Sequence, residues 1–268
     1  MLSYVARRES SSQFRIGLPF ILPHLTPLQW ICTALAALCI GMSKSGLSGI
    51  SLATILLMAR VFPPRESTGI ILPMLIAADF LACRAFRLHA QWRHVWRLLP
   101  ATVVGVVLGY FAMRAIPEGN YRQLIGWIIL VMALLQGLKM RYRELPLPAL
   151  HRAPFAITMG VTTGVTTMLA NAAGPVAALY MTAVDLPKMQ FIATSAFLFL
   201  IVNLIKVPFS ASQGLITADT LLFNATCIPF IAIGVFGGRW IIHRLSQRVF
   251  ETWVLVFSIA AALRLIWI

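Results

Sequence analysis

The chain has 268 residues, of which 59% are hydrophobic and only 11% charged, with mean hydropathy +0.85 and net charge +14. That charged share is about half of what a soluble domain carries, so the composition excludes a soluble globular protein. Long apolar runs between short basic loops make the chain a polytopic α-helical membrane protein, and no stretch of about ten residues alternates as a membrane β-barrel strand must.

Such an excess of positive charge would point to nucleic acid in a soluble protein. Here the cations lie mainly between hydrophobic segments, where they orient the chain and meet anionic lipid headgroups. Membrane lipid is therefore an expected partner and nucleic acid is not. Cys32, Cys39, Cys83 and Cys227 lie in or beside apolar segments without CxxC spacing, which points to small core residues and not to a disulfide framework or a zinc site.

Residues 1–24 read as a tail, because Arg7, Arg8, Glu9 and a serine run precede only a short apolar portion. Ten hydrophobic segments follow, at about 27–43, 48–62, 66–86, 95–115, 121–140, 153–170, 174–184, 188–207, 218–242 and 248–268. As one helix, residues 28–62 would measure roughly 50 Å, too long for a single crossing of a core about 30 Å thick. The first two segments are thus predicted to form a hairpin, spanning or re-entrant, and so are the sixth and seventh.

The second half repeats the first. Pro100, Gly105 and Gly109 in segment four match Pro229, Gly234 and Gly238 in segment nine at the same spacing. Asp79 lies sixteen residues after Pro63, and Asn203 sixteen after Pro187, while Trp127 and Trp253 hold similar places in segments five and ten. The expected architecture is all-α, 8–10 helices, in two repeats at 25–145 and 146–268 that form one integral membrane domain. An odd number of segments per repeat inverts the second relative to the first. Loops 84–97, 139–152 and 239–248 hold eleven Lys or Arg against five in loops 60–66, 114–122 and 206–219, so the richer set is expected in the cytoplasm and both termini outside.

Polar residues interrupt the apolar pattern at a few places. Residues 41–51 supply three glycines, four serines and Lys44 between two hydrophobic arms. A lysine within such a run costs roughly 2.5–3.5 kcal/mol on insertion. Read alone, the stretch is as well a polar turn at the membrane surface as a site. Its counterpart is the run Thr162, Thr163, Thr166 and Thr167 leading to Asn171-Ala-Ala-Gly-Pro175. Each break precedes a helix, so free N–H groups and the positive ends of two dipoles would point at it, and Pro175 suits a first helical turn.

Two such termini, with Ser43, Lys44, Ser45, Gly46, Gly49, Asn171, Gly174 and Pro175, make a candidate midplane site for a small oxyanion. Packing and capping are the ordinary roles of the threonines and of Asn171. Asp79, Thr194, Asn203 and Lys206 form a candidate supporting or coupling shell. Asp79 is a candidate proton carrier, or equally a structural partner for a lysine or a backbone break; its counterpart Asn203 does not titrate, and Lys206 is placed to snorkel. Gly46-Leu-Ser48-Gly49 matches the GxSG of intramembrane serine proteases, but the five histidines lie near segment ends or in loops and offer no base. No Walker loop, dinucleotide fingerprint or metal-ligand cluster is present, so no cofactor, no metal and no enzymatic activity is expected.

Over roughly residues 30–265 the chain resembles the sulfite exporter TauE/SafE family, closest to a subset with a lysine in the first break. The resemblance rests on Gly41-Met-Ser-Lys-Ser-Gly46, Pro64-Arg-Glu-Ser-Thr-Gly69, Leu72-Pro73 with Asp79, His89-Ala-Gln-Trp92, Asn171-Ala-Ala-Gly-Pro175, Leu186-Pro-Lys188 and Asn203-Leu-Ile-Lys-Val-Pro208. It implies a bacterial inner-membrane permease that moves sulfur-containing anions such as sulfite or organosulfonates, usually outward. Family hydropathy is often described as eight spans, and the wider family has a glycine-rich first break where this chain has serines and Lys44. The reading is a secondary transporter working by alternating access, with proton coupling through Asp79 open and oligomeric state unassigned. The alternatives are a ten-span exporter of neutral metabolites, an anion channel and a membrane enzyme acting on lipid phosphate.

Overall fold

The computed structural model describes residues 25–46, 50–141, 153–184 and 186–241, together with Thr252, Val256, Ile259, Leu263, Ile266 and Trp267. Among the described residues every regular element is helical. The helices are α1 (Pro27–Ser43), α2 (Ile50–Val61), α3 (Pro64–Phe86), α4 (Trp92–Ala115), α5 (Glu118–Arg141), α6 (Ala153–Ala170), α7 (Gly174–Ala183), α8 (Lys188–Ser212) and α9 (Ala218–Ile241). The six single positions near the C-terminus are helical as well. Gly49 and Trp253 lie outside the described residues.

Local chemistry sets the helix limits. Thr26 opens α1 with a capping box: its hydroxyl accepts from Gln29 N–H and the Gln29 side chain accepts from Thr26 N–H. Proline occupies the first turn of α1 and of α3, where its missing N–H costs nothing. Pro73, Pro100, Pro208 and Pro229 sit inside helices, as membrane helices tolerate where neighbours meet the freed carbonyls. The third, fourth and fifth segments begin two to three residues earlier than expected, and the largest boundary shift is in the eighth, which continues through Pro208 to Ser212 instead of ending at 207. There Gly214, at φ +71°, lets Gly214 N–H reach Ala211 O and Leu215 N–H reach Ser210 O, a Schellman close.

Five helices are long and apolar enough to cross a membrane, lying at Pro64–His89, Trp92–Ala115, Ala153–Ala170, Lys188–Ser212 and Ala218–Gly238. In both hairpins the two outer ends lie together. Trp30 near the start of α1 and Phe62 just after α2 pack on the same ring, Phe223, at 5.9 and 5.6 Å. Thr54 Oγ1 of α2 also donates to Ala36 O of α1. Likewise Phe155, near the start of α6, stacks on Tyr180, near the end of α7. The first hairpin opens beside the start of α3. The second opens beside His94 of α4, which bonds Tyr180 and follows the far end of α3. The hairpins therefore enter from opposite ends of α3.

Two backbone-to-backbone crossings fix them. A side chain on Gly41 of α1 would strike the backbone of Ile231 and Val235, and one on Gly234 of α9 would strike Leu38 O. In the second crossing Gly105 of α4 meets the Val161 carbonyl, and Gly164 of α6 meets the Thr102 carbonyl. Small residues at such crossings bring helix axes close where the hydrophobic effect between helices is lost to lipid. α3 and α8 pack against each other between the hairpins.

Candidate functional site

The tips of the hairpins carry the polar residues into the interior. α1 ends at Ser43, and the turn through Lys44, Ser45 and Gly46, with Gly46 at φ +102°, ends the described part of the first break. Lys44 Nζ stands 2.7 Å from Asp79 Oδ1 on α3, with the lysine side chain 11% exposed and the carboxylate 0%. Asn203 Nδ2, from α8, donates to the other oxygen, Asp79 Oδ2, at 2.8 Å. The ammonium also lies 5.0 Å from the centre of the Phe199 ring, within cation–π range. One buried carboxylate thus receives a charge and an amide from two other segments.

The second tip is organised by Asn171. It sits at φ +53°, and its N–H reaches Thr167 O, the αL close of a helix in which asparagine can replace glycine. Both ends of its amide are engaged. Nδ2 donates to Thr68 O of α3 at 2.8 Å, and Oδ1 accepts from Lys206 Nζ at 2.6 Å. Lys206 is 2% exposed and donates also to Thr167 O and Thr167 Oγ1, so all three ammonium hydrogens have acceptors. The expected snorkelling does not occur, because the broken end of α6 supplies acceptors deep in the protein. Of the four threonines, Thr167 meets Lys206, whereas Thr166 turns its hydroxyl back onto Thr162 O of its own helix.

Between the tips lies a cavity of about 60 Å³. From the first hairpin it is lined by Ser43, Lys44, Gly46 and Ser51, and from the second by Thr167, Asn171, Ala173 and Gly174. Leu75 of α3 lines it between Thr68 and Asp79, the two contacts of the tips, which stand roughly 16 Å apart along that helix. Each tip thus passes the centre, and the cavity sits in their overlap. α7 begins at Gly174, which lines the cavity with Ala173, so the N-terminal end of α7, whose first N–H groups have no acceptor within the helix, lies at the cavity wall.

Some expected site residues stand apart. Ser45 donates to Val235 O and supports the α1–α9 crossing without lining the cavity. Thr194 Oγ1 accepts from Gln91 N–H at 2.9 Å, holding the start of α4 against α8. Pro175 follows the cavity-lining Gly174 in the first turn of α7, and Lys206 reaches the cavity only through Asn171 and Thr167. Ser195 and Phe199 were not singled out from sequence, yet both line the cavity with Asn203. Their signal is helical spacing, since 195, 199 and 203 repeat every four residues along one face of α8.

Of the charged side chains among the described residues only Lys44 lines the cavity, with Asp79 behind it and Lys206 behind Asn171 and Thr167. A lysine ammonium, a helix N-terminus and a volume of a few waters suit a small anion. Among the described residues no group of histidine, cysteine and acidic side chains is able to hold a metal ion. No curated protein and no solved structure gives a match to the chain. Residues 33–265, by contrast, match the family model described as sulfite exporter TauE/SafE, and the chain belongs to that family.

Proposed function

We propose that the protein is a secondary transporter that exports small sulfur-containing oxyanions, sulfite foremost, across the bacterial inner membrane. The observation that carries this reading is the cavity between the tips, lined by Lys44 from one tip and by Gly174, at the N-terminus of α7, from the other. Lys44 and the N–H groups at Gly174 are its anion-binding groups, while Ser43, whose hydroxyl donates to Ile40 O, lines the cavity beside them. Asn171 and Lys206 hold one end of the cavity, while Asp79 and Asn203 hold the other.

Two inverted repeats, 25–145 and 146–268, alternate access to this cavity. Support comes from the hairpins entering from opposite ends of α3 and from the matched crossings, Gly105 with Gly164 and Gly234 with Gly41. Loop charge favours a cytoplasmic position for the ends of α3 and α5 and the start of α8, with the termini periplasmic.

The test is efflux of radiolabelled sulfite from proteoliposomes, with taurine-derived sulfonates, control anions and neutral metabolites as competitors. Sulfite transport is expected, and Lys44→Ala lowers it at normal membrane levels. Unchanged rate and affinity in Lys44→Ala would remove Lys44 from the site. Competition by neutral metabolites but not by anions would replace the reading with that of a metabolite exporter.

A further inference from the structure

Two polar atoms at the cavity have no partner among the described residues, and one of them, a pure acceptor, says what form of anion fits. Asn203 is 1% exposed and lines the cavity. Its amide orientation is fixed, because one end bonds Asp79 Oδ2, a carboxylate oxygen that only accepts, so that end is the NH₂. The other end, Oδ1, is a buried acceptor without a hydrogen bond among the described residues. Ser195 Oγ, two turns earlier on the same face of α8, lines the same cavity and is also unmet. Leaving a buried acceptor unmet is costly, which makes it a demand on whatever fills the space.

The walls are therefore chemically divided. Lys44 and the first turn of α7 offer donors and positive charge, and Asn203 offers a carbonyl oxygen. A fully deprotonated oxyanion or a halide only accepts. It satisfies the first wall and sets its lone pairs against Asn203 Oδ1. A small oxyanion that keeps one proton satisfies both.

We propose that the cavity selects the singly protonated form of a small oxyanion, with hydrogen sulfite in its hydroxyl form as the type. Its O–H donates to Asn203 Oδ1, and its remaining oxygens meet Lys44 and the α7 N–H groups. This inference rests on the oxyanion-transport reading and adds the ionisation state and the residue that reads it. The proton then travels on the substrate. Asp79 is left to hold Lys44 and Asn203 in place and need not release a proton in each cycle.

The experiment measures initial rates in proteoliposomes, with protein-free liposomes subtracted, across the pH interval in which hydrogen sulfite gives way to sulfite. Methanesulfonate, which holds no proton there, is the second probe. The sulfite rate at fixed total concentration is expected to follow the hydrogen sulfite fraction, falling about tenfold per pH unit once sulfite predominates. Methanesulfonate is expected to be slower and nearly independent of pH, which removes titration of the protein as the cause. Asn203→Leu is expected to cut the preference for sulfite over methanesulfonate about tenfold.

A sulfite rate that is flat or rises with pH overturns the inference and leaves oxyanion transport standing. An unchanged preference in well-expressed Asn203→Leu also overturns it, since water alone would then meet Oδ1. If Asn203→Leu does not reach the membrane, the wild-type profile decides. Transport of neither anion brings down both the inference and the reading beneath it.

Discussion

Lys44→Met is the most informative perturbation, because it separates a structural ion pair from a ligand group. The wild-type pair is 2.7 Å apart, with the Asp79 side chain 0% and the Lys44 side chain 11% exposed. Removing the cation leaves Asp79 in the interior with only the Asn203 amide donor. Losing one partner of a buried pair costs about 3–5 kcal/mol. For a chain of this size each kcal/mol moves the melting midpoint by about 2–4 °C, so a drop of about 6–20 °C is expected.

Asp79→Asn should cost less than Lys44→Met, since the stranded ammonium keeps the Phe199 face and is the more exposed partner. The double variant Lys44→Met/Asp79→Asn, which leaves no unpaired charge, should recover most of the loss and still lack transport. Melting followed by tryptophan fluorescence in detergent, with sulfite efflux in parallel, gives both readouts. A Lys44→Met midpoint within about 2 °C of wild type, or a double variant no better than the single, refutes the ion pair as the main hold between the first tip and α3.

Gly164→Leu is expected to abolish monodisperse protein on size exclusion, because its side chain would enter the Thr102 carbonyl of α4. Gly119→Ala, where the added carbon meets nothing within 4 Å, should instead be tolerated or raise stability by about 0.5–1 kcal/mol. Asn171→Gly keeps the left-handed close, while Asn171→Ala does not, so the alanine variant should melt lower by the equivalent of about 1 kcal/mol. Both lose the bond to Lys206, and both should alter sulfite KM. A single cysteine at 145, in a background without the four native cysteines, should label from the cytoplasmic side only, and labelling from outside alone would invert the assigned orientation.

How much could be read beforehand differed between parts of the molecule. Helix starts were legible because proline punctuates apolar runs, as at Pro63 and Pro187, whereas the end of α8, closed at Gly214, was placed five residues too early. Which residues close each hairpin was not legible, since that lies in distant ring contacts such as Phe155 on Tyr180. Lys44 and Asp79 were visible as charges out of place, but their pairing across 35 positions was not. Lys206 misled because its position near a segment end suggests snorkelling, while its acceptors come from a helix break 35 to 39 positions earlier. Ser195 and Phe199 were hidden in a segment apolar on nearly every face, and only the anchor at Asn203 gives that face a meaning.

The two glycine crossings have a mechanical consequence. Each joins a hairpin of one sequence half to a long helix of the other: α1 to α9, and α6 to α4. The halves are thus cross-braced, like two frames each bolted through the other's upright. Expressed separately, residues 1–145 and 146–268 would each present a bare glycine seam to lipid and lack the helix that fills it. Any motion that opens the cavity must leave both seams closed. In the proposed alternating access the bodies to move are the braced pairs, α1–α2 with α9 and α6–α7 with α4, and these differ from the two proposed repeats.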